Sequence, residues 1–374
     1  MKRLFACTLA LCAALSLQLQ AQRSELRLEK GWRFTRQDQA SFSTPDYNDS
    51  KWSRVTVPHD WAIYGPFSFE NDKQHLAIAQ DGQKEAMEHA GRTGGLPFVG
   101  AGWYRRSLDI PQDLGDRRVF LRFDGAMSHA RVYVNGKEVG YWPYGYNTFA
   151  FDVTPYVRPG ASNTLAVRLE NKHESSRWYP GAGLYRNVHL TITSPTYIPL
   201  WGTRIQTPSV SADQAYVSVE TKVAGLSHLA GRPLRIETKI LSSEGKVVAE
   251  RTEDFSSKGA DSIYRTGFDI SAPKLWDINQ PHLYKYAVTL SDGSQVIDRD
   301  TTTFGIRSIE LKAGEGFFLN GRKLKFQGAC LHHDLGPLGA AVNEAAMRRQ
   351  IRQMQDMGVN AIRTSHNMPA PEFV

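Results

Sequence analysis

Apolar and polar positions alternate in short runs over most of this chain, and turn residues separate the runs. Arg131-Val132-Tyr133-Val134 alternates, Asn135-Gly136 follows, and Lys137 to Tyr141 returns. Asn and Gly both accept positive φ, so the pair predicts a type I′ turn closing a hairpin. Val119 to Phe123, Thr164 to Leu169 and Asn187 to Thr193 read as further strands. From about Leu26 to Tyr197 this spacing predicts an antiparallel sandwich. Residues 66–102 hold Asp, Gln, His and several Gly without periodicity, and read as a long surface loop of the kind that carries function. Residues 201–307 alternate again, with turns at Glu244-Gly245 and Asp292-Gly293, over the length of one immunoglobulin-like sandwich of roughly 100 residues.

The texture changes at about Ile309. Phe317 to Leu319, Asn320-Gly321 and Lys323 to Phe326 form a hairpin by the same turn logic, and a strand runs on from Gly328 to His332. A helix follows. Asn343 suits its N-cap and Gly358 its C′ position, and between them Met347, Ile351 and Met354 recur at i, i+4 and i+7 as one apolar stripe. Arg348, Arg349, Arg352 and Asp356 take the solvent side. Asn360 to Ser365 is the next strand. Strand, helix and strand with such short joints predict a βαβ unit with parallel strands and a right-handed crossover. Two parallel strands cannot bury both faces of a sheet, so more units are expected than the sequence to Val374 supplies.

In a (β/α)8 barrel, sites are built at the carboxyl ends of the strands. His332 closes the first parallel strand and His366 the second, which makes both candidates; the alternative is a pair of solvated loop residues. His332-His333-Asp334 resembles part of a metal site, but neighbours on a strand face opposite ways, and a zinc site wants three or four convergent ligands. Asp60, Asp334 and Glu344 are acidic without a pattern that marks them as catalytic; Glu344 suits a helix start. There is no Gly-x-Ser-x-Gly elbow, Walker loop or His-Glu-x-x-His segment.

Composition narrows the class. Lys2 and Arg3 precede an apolar run from Leu4 to Leu19 that ends at Ala21-Gln22, the pattern of a secretory signal peptide; the alternative is a membrane anchor, for which the run is short. Residues 1–21 take two of the seven net positive charges and hold no acid, so +5 remains. The basic residues are scattered, which disfavours a nucleic-acid partner. Cys7 and Cys12 fall in the signal, leaving Cys330 and no internal disulfide. The expectation is an exported protein, in the periplasm or outside the cell, with no membrane contact after signal removal. All eight Trp lie beyond the signal, and flat rings stack well on sugars as well as in cores.

Seven segments, in order, resemble glycoside hydrolase family 2. They are Gly31-Trp32-Arg33-Phe34, Val57-Pro58-His59-Asp60-Trp61, Gly102-Trp103-Tyr104-Arg105-Arg106, Val134-Asn135-Gly136, Arg177-Trp178-Tyr179-Pro180-Gly181-Ala182-Gly183-Leu184-Tyr185-Arg186, Phe304-Gly305-Ile306-Arg307 and Asn360-Ala361-Ile362-Arg363-Thr364-Ser365-His366. The resemblance implies a multidomain, mainly β chain. A signal peptide over residues 1–21 precedes a sugar-binding jelly-roll sandwich over 22–198. An immunoglobulin-like β-sandwich covers 199–307, and the first βαβ unit of a (β/α)8 TIM barrel covers 308–374. Gly328-Ala329-Cys330-Leu331-His332-His333 looks most like the β-galactosidases. That implies retaining, exo-acting hydrolysis of terminal β-galactosides; β-glucuronide or β-mannoside specificity and a non-catalytic glycan-binding module stay open. By the resemblance His332 and His366 contact sugar hydroxyls, and Asn367 is a further substrate-binding candidate, although Met368 separates it from Pro369 where the family usually places Pro directly. Some β-galactosidases offer an acidic residue to the sugar near the place of Ser176. The family's acid/base and nucleophile Glu match no position here. No cofactor is implied; family analogy allows Mg²⁺ or Na⁺, without a ligand set in this sequence, and is compatible with a homo-oligomer.

Overall fold

The computed structural model describes residues 23–374 except 69–70, 72–73, 76–87, 90–97, 173–174, 177, 230–231 and 257–260. The chain divides into two compact units: Glu25–Gly115, Val119–Thr191 and Phe326–Val374 form one, and Asp116–Arg118 and Ile192–Lys325, with the described residues before Glu25, form the other.

The first is built on a β-sandwich. One sheet runs in the order Ser53–Val55, Trp32–Thr35, Gly100–Asp109, Ser162–Asn171, Ala130–Val134 and Lys137–Trp142; the other runs Ser24–Arg27, Val188–Thr193, Arg118–Phe123 and Phe149–Asp152. Period-two alternation puts Val119, Leu121 and Phe123 inside, with their neighbours half exposed. Val132, Val134, Leu165, Val167 and Leu169 are buried too. Removing one such aliphatic side chain from a packed core costs about 2–5 kcal/mol. Asn135 (φ 52°) and Gly136 (φ 81°) make the left-handed pair that a type I′ hairpin needs. Most of the loop expected at 66–102 lies outside the described residues; its end is strand, since Gly100–Asp109 pairs along its whole length with Ser162–Asn171.

The same unit contains the βαβ element. Gly328–Leu331 pairs in parallel with Ala361–Thr364, Leu331 opposite Thr364. The helix spans Glu344–Asp356: the Asn343 side chain accepts from the Ala346 N–H at 3.0 Å, and Gly358 takes φ 85° after the last turn. Met347 of the apolar stripe packs with Leu335 and Ala370. Both strands end earlier than the sequence pattern suggests, so His332 and His366 stand one and two residues past the strands.

The second unit contains a second sandwich. Thr203–Val210, Gln214–Val223 and Ser262–Ser271 face Val247–Ser256, Pro233–Leu241, Tyr284–Asp292 and Gln295–Phe304 across one apolar core. Asp298 is fully buried and accepts from Arg23 at 2.8 Å and from the Ile198 N–H at 2.7 Å. Ile309–Lys312, Gly316–Leu319 and Arg322–Lys323 form the hairpin around Asn320-Gly321. The strand expected over Lys323 to Phe326 is shorter, because ladder pairing ends at Lys323, beyond which the Leu324 N–H reaches Phe317 O.

Candidate functional site

The site forms where the two parallel strands run out. Because Leu331 and Thr364 are in register, the residues just beyond them converge, and the His332 and His366 rings stand 5.8 Å apart, nearly perpendicular. The Ser365–His366 peptide is cis. The indole of Trp178 covers both imidazoles, 5.3 Å from His332 and 5.4 Å from His366. Trp178 Nε1–H donates to Tyr146 Oη at 2.9 Å, which fixes the ring plane. Asn367 joins the group: its Oδ1 accepts from Tyr144 Oη at 2.6 Å. His332 Nδ1 and Asn367 Nδ2 are buried with no hydrogen-bond partner among the described residues. A buried polar atom left unpaired costs about 1–3 kcal/mol, so His332 Nδ1, on a ring that packs against the Trp178 indole, is a candidate contact for a polar ligand.

His333 turns the other way, as strand geometry requires. Its Nε2 meets Pro180 O at 2.9 Å, and its ring packs edge-on against Tyr146. Burial pushes its pKa down to about 4, so the ring is neutral, with Nε2 as the donor. It supports the site from behind and does not face it. Among the described residues no three His, Cys, Asp or Glu side chains gather as a metal site. Imidazole and indole groups do not suit Mg²⁺ or Na⁺, which seek several oxygens.

Beneath the aromatic residues lies Asp60, whose carboxylate is almost fully buried. Oδ1 accepts from the N–H groups of Ala62 (3.0 Å) and Ala182 (2.9 Å), and Oδ2 from Tyr179 Oη (2.6 Å) and the Ala340 N–H (2.8 Å). Burial pushes this carboxyl up from its usual range, against the pull of the four donors. Three segments meet on it: the Val57–Trp61 motif, the stretch after Trp178 and the loop after the first parallel strand. Gly339 and Gly181 allow the approach. A Cβ at Gly339 would fall 2.4 Å from Oδ2, and one at Gly181 would fall 2.5 Å from the Ala340 Cβ. Arg186, also buried, donates to the carbonyls of Tyr146, Met368 and Pro369 and so ties the sandwich to the chain beyond His366.

The sequence pointed to His332, His366 and Asn367; the structure brings the two histidine rings together, and Asn367, next in the chain, bonds to Tyr144. It did not single out Trp178, Tyr144, Tyr146 or Asp60 for the site. Trp178 stood inside a quoted motif, and an acid between His59 and Trp61 in an apolar stretch was the available sign of a buried carboxylate. Glu344 opens the helix, and the Asp334 main-chain carbonyl accepts from Gln350. Ser176 Oγ donates to Trp178 O and shapes its loop. Arg177 lies outside the described residues.

Three models of one family match in succession. The sugar binding domain of glycosyl hydrolases family 2 matches residues 26–194, the family's middle domain 198–307, and its TIM barrel domain 309–374. The chain belongs to glycosyl hydrolase family 2. Among family 2 relatives, a β-galactosidase of Bacteroides ovatus is 37% identical over 98% of this chain and 41% of its own length. A β-glucuronidase of Bacteroides fragilis is 32% identical over 94% of this chain and 47% of its own. The solved structure of a family 2 member from Bacteroides cellulosilyticus superposes with a TM-score of 0.85 at 33% identity, covering 93% of this chain and 44% of the other. The chain thus spans less than half the length of these relatives. The mainly β family 2 architecture, with a sugar-binding sandwich, an immunoglobulin-like sandwich and the opening of a TIM barrel, agrees with the fold the sequence predicts.

Proposed function

We propose that this chain supplies the sugar-recognising part of an exported, retaining exo-glycosidase that removes terminal β-galactosides. The observation that carries the reading is the packing of Trp178 against both His332 and His366 just past the parallel strands, where His332 Nδ1 is buried with no hydrogen-bond partner among the described residues. A pyranose stacked on the indole would present hydroxyls to His332, His366 and Asn367, which hold the ring and favour the charge that develops at its anomeric carbon. Cleavage itself takes two carboxylates roughly 5 Å apart, one protonating the leaving oxygen and one attacking the anomeric carbon. No residue among 1–374 is assigned either role, so in this reading both come from a further part of the barrel. Removal of residues 1–21 on export, and domain spans of 22–198, 199–307 and 308–374, belong to the same proposal.

The test is turnover of p-nitrophenyl β-galactoside, β-glucuronide and β-mannoside by the full-length gene product, with the product anomer read by NMR. The expected result is galactoside cleavage with retention. His332→Ala should lower kcat/KM by about 10²- to 10³-fold, roughly 3–4 kcal/mol of transition-state stabilisation. Preference for the glucuronide, the substrate in the name of the B. fragilis relative, would overturn the galactoside assignment. Galactose binding without cleavage would leave a glycan-binding protein.

A further inference from the structure

The three-stranded sheet of the immunoglobulin-like sandwich is described at every residue of its strands, Thr203–Val210, Gln214–Val223 and Ser262–Ser271. Val217, Val219, Phe268 and Ile270 point into the core, so the residues alternating with them share the outer face. Register fixes the rows of that face. Arg204, Glu220 and Arg265 lie side by side, then Gln206, Ser218 and Gly267, then Ser209, Tyr216 and Asp269.

Gly267 stands out in these rows, because a glycine inside a strand weakens it and often marks a close approach. Its φ is not positive, so the backbone does not require it. Tyr216, diagonally across the strand pair, does: a Cβ at Gly267 would fall 2.1 Å from Tyr216 Oη and 2.8 Å from Cε2. The ring therefore leans over the neighbouring strand, one side toward its backbone, and Tyr216 stays 41% exposed. Its neighbours in the rows are polar, and the charges there balance. Glu220 stands between Arg204 (3.6 Å) and Arg265 (3.0 Å), and Asp269 accepts from Gln214 at 3.2 Å. A protein partner would want an apolar centre around the ring, and a charged polymer a surplus of one sign. A single ring in a balanced polar rim suits a neutral pyranose, whose C–H face stacks while its hydroxyls meet the rim.

We propose that Tyr216 is the platform of a non-catalytic carbohydrate site, which holds a neutral glycan chain on the immunoglobulin-like sandwich with Gly267 making room for the ring. The site uses no residue of the His332–His366 subsite, so it stands or falls independently of the galactosidase reading.

The test is affinity electrophoresis of the protein through gels containing neutral β-1,4-galactan, neutral β-1,4-glucan or a sulfated galactan. At least one neutral polymer should retard the protein, and the sulfated one should retard it less. Tyr216→Ala should weaken that binding by about tenfold or more, the loss of one stacked ring. Gly267→Ala should weaken it too, because the new Cβ swings the ring off the sheet, yet leave Tm unchanged or raise it. His332→Ala, which alters the barrel subsite, should bind as the parent does. Absence of retardation, or retardation undiminished in Tyr216→Ala, would overturn the proposal. So would a loss in His332→Ala, which would place the binding at the barrel subsite. If Tyr216→Ala lowers Tm while binding persists, the ring only shields the glycine. Stronger retardation by the sulfated polymer would overturn the choice of a neutral glycan.

Discussion

Asp60 holds four donors on two oxygens, and two of the backbone donors and the tyrosine belong to segments far away in sequence: Tyr179, Ala182 and Ala340 lie 119, 122 and 280 residues along the chain. Asp60→Ala would leave the Ala62, Ala182 and Ala340 N–H groups buried without acceptors. The expected cost is about 3–5 kcal/mol in urea unfolding, with a red shift of Trp178 fluorescence as Tyr179 loosens. A loss under about 1 kcal/mol would show that water replaces the carboxylate. Those separations also explain why the residue was unreadable beforehand. His332 and His366 announce themselves because each follows its own strand, a local pattern. An acid in an apolar stretch declares neither its partners nor its burial until the chain has folded back three times. Trp178 has the same limitation, since its role depends on two rings more than 150 residues later.

Elements whose ends are set by local chemistry were legible almost to the residue. The helix begins after Asn343 and ends before Gly358, as capping predicts, and the hairpins turn at Asn135-Gly136 and Asn320-Gly321. Asn343→Ala should cost about 1 kcal/mol, the worth of one N-cap bond, and Gly358→Ala a similar amount for forcing a Cβ to φ 85°. Both are measurable as shifts of the thermal midpoint, and additivity is expected because the sites lie at opposite ends of the helix. Where a strand depends on its partner, the pattern overreached. Lys323 to Phe326 alternates well, yet pairing stops at Lys323 because alternation describes a surface and not the neighbour that must complete it.

Acid should be the condition that this molecule resists least. His59 and His333 are both held near pKa 4 by burial, below the ordinary 6.5, so unfolding takes up protons between those values. Their contribution is complete above about pH 6.5 and is lost as pH falls toward 4. Glu25, lowered to about 2 chiefly by its hydrogen bond with His189, extends the loss from about 4.5 downward. His189 runs the other way. Burial opposes its charge, but bonds to Asp124 and Glu25 win and raise its pKa, so it favours the folded state at the acid end. The expected profile is a thermal midpoint that declines from pH 6.5 to 4, with the slope reduced in His333→Gln. An unchanged slope would show that His333 titrates normally.

The donors of Arg186 reach carbonyls at Met368 and Pro369, while the residue itself belongs to a sandwich whose last strand ends at Thr193. A ribosome must therefore deliver some 180 further residues before this guanidinium finds those acceptors. The amino-terminal sandwich therefore emerges with part of this guanidinium's hydrogen bonding still unmet. It has to wait, incompletely satisfied, through synthesis of the whole immunoglobulin-like domain, which makes that interval the time at which a nascent chain most needs a chaperone.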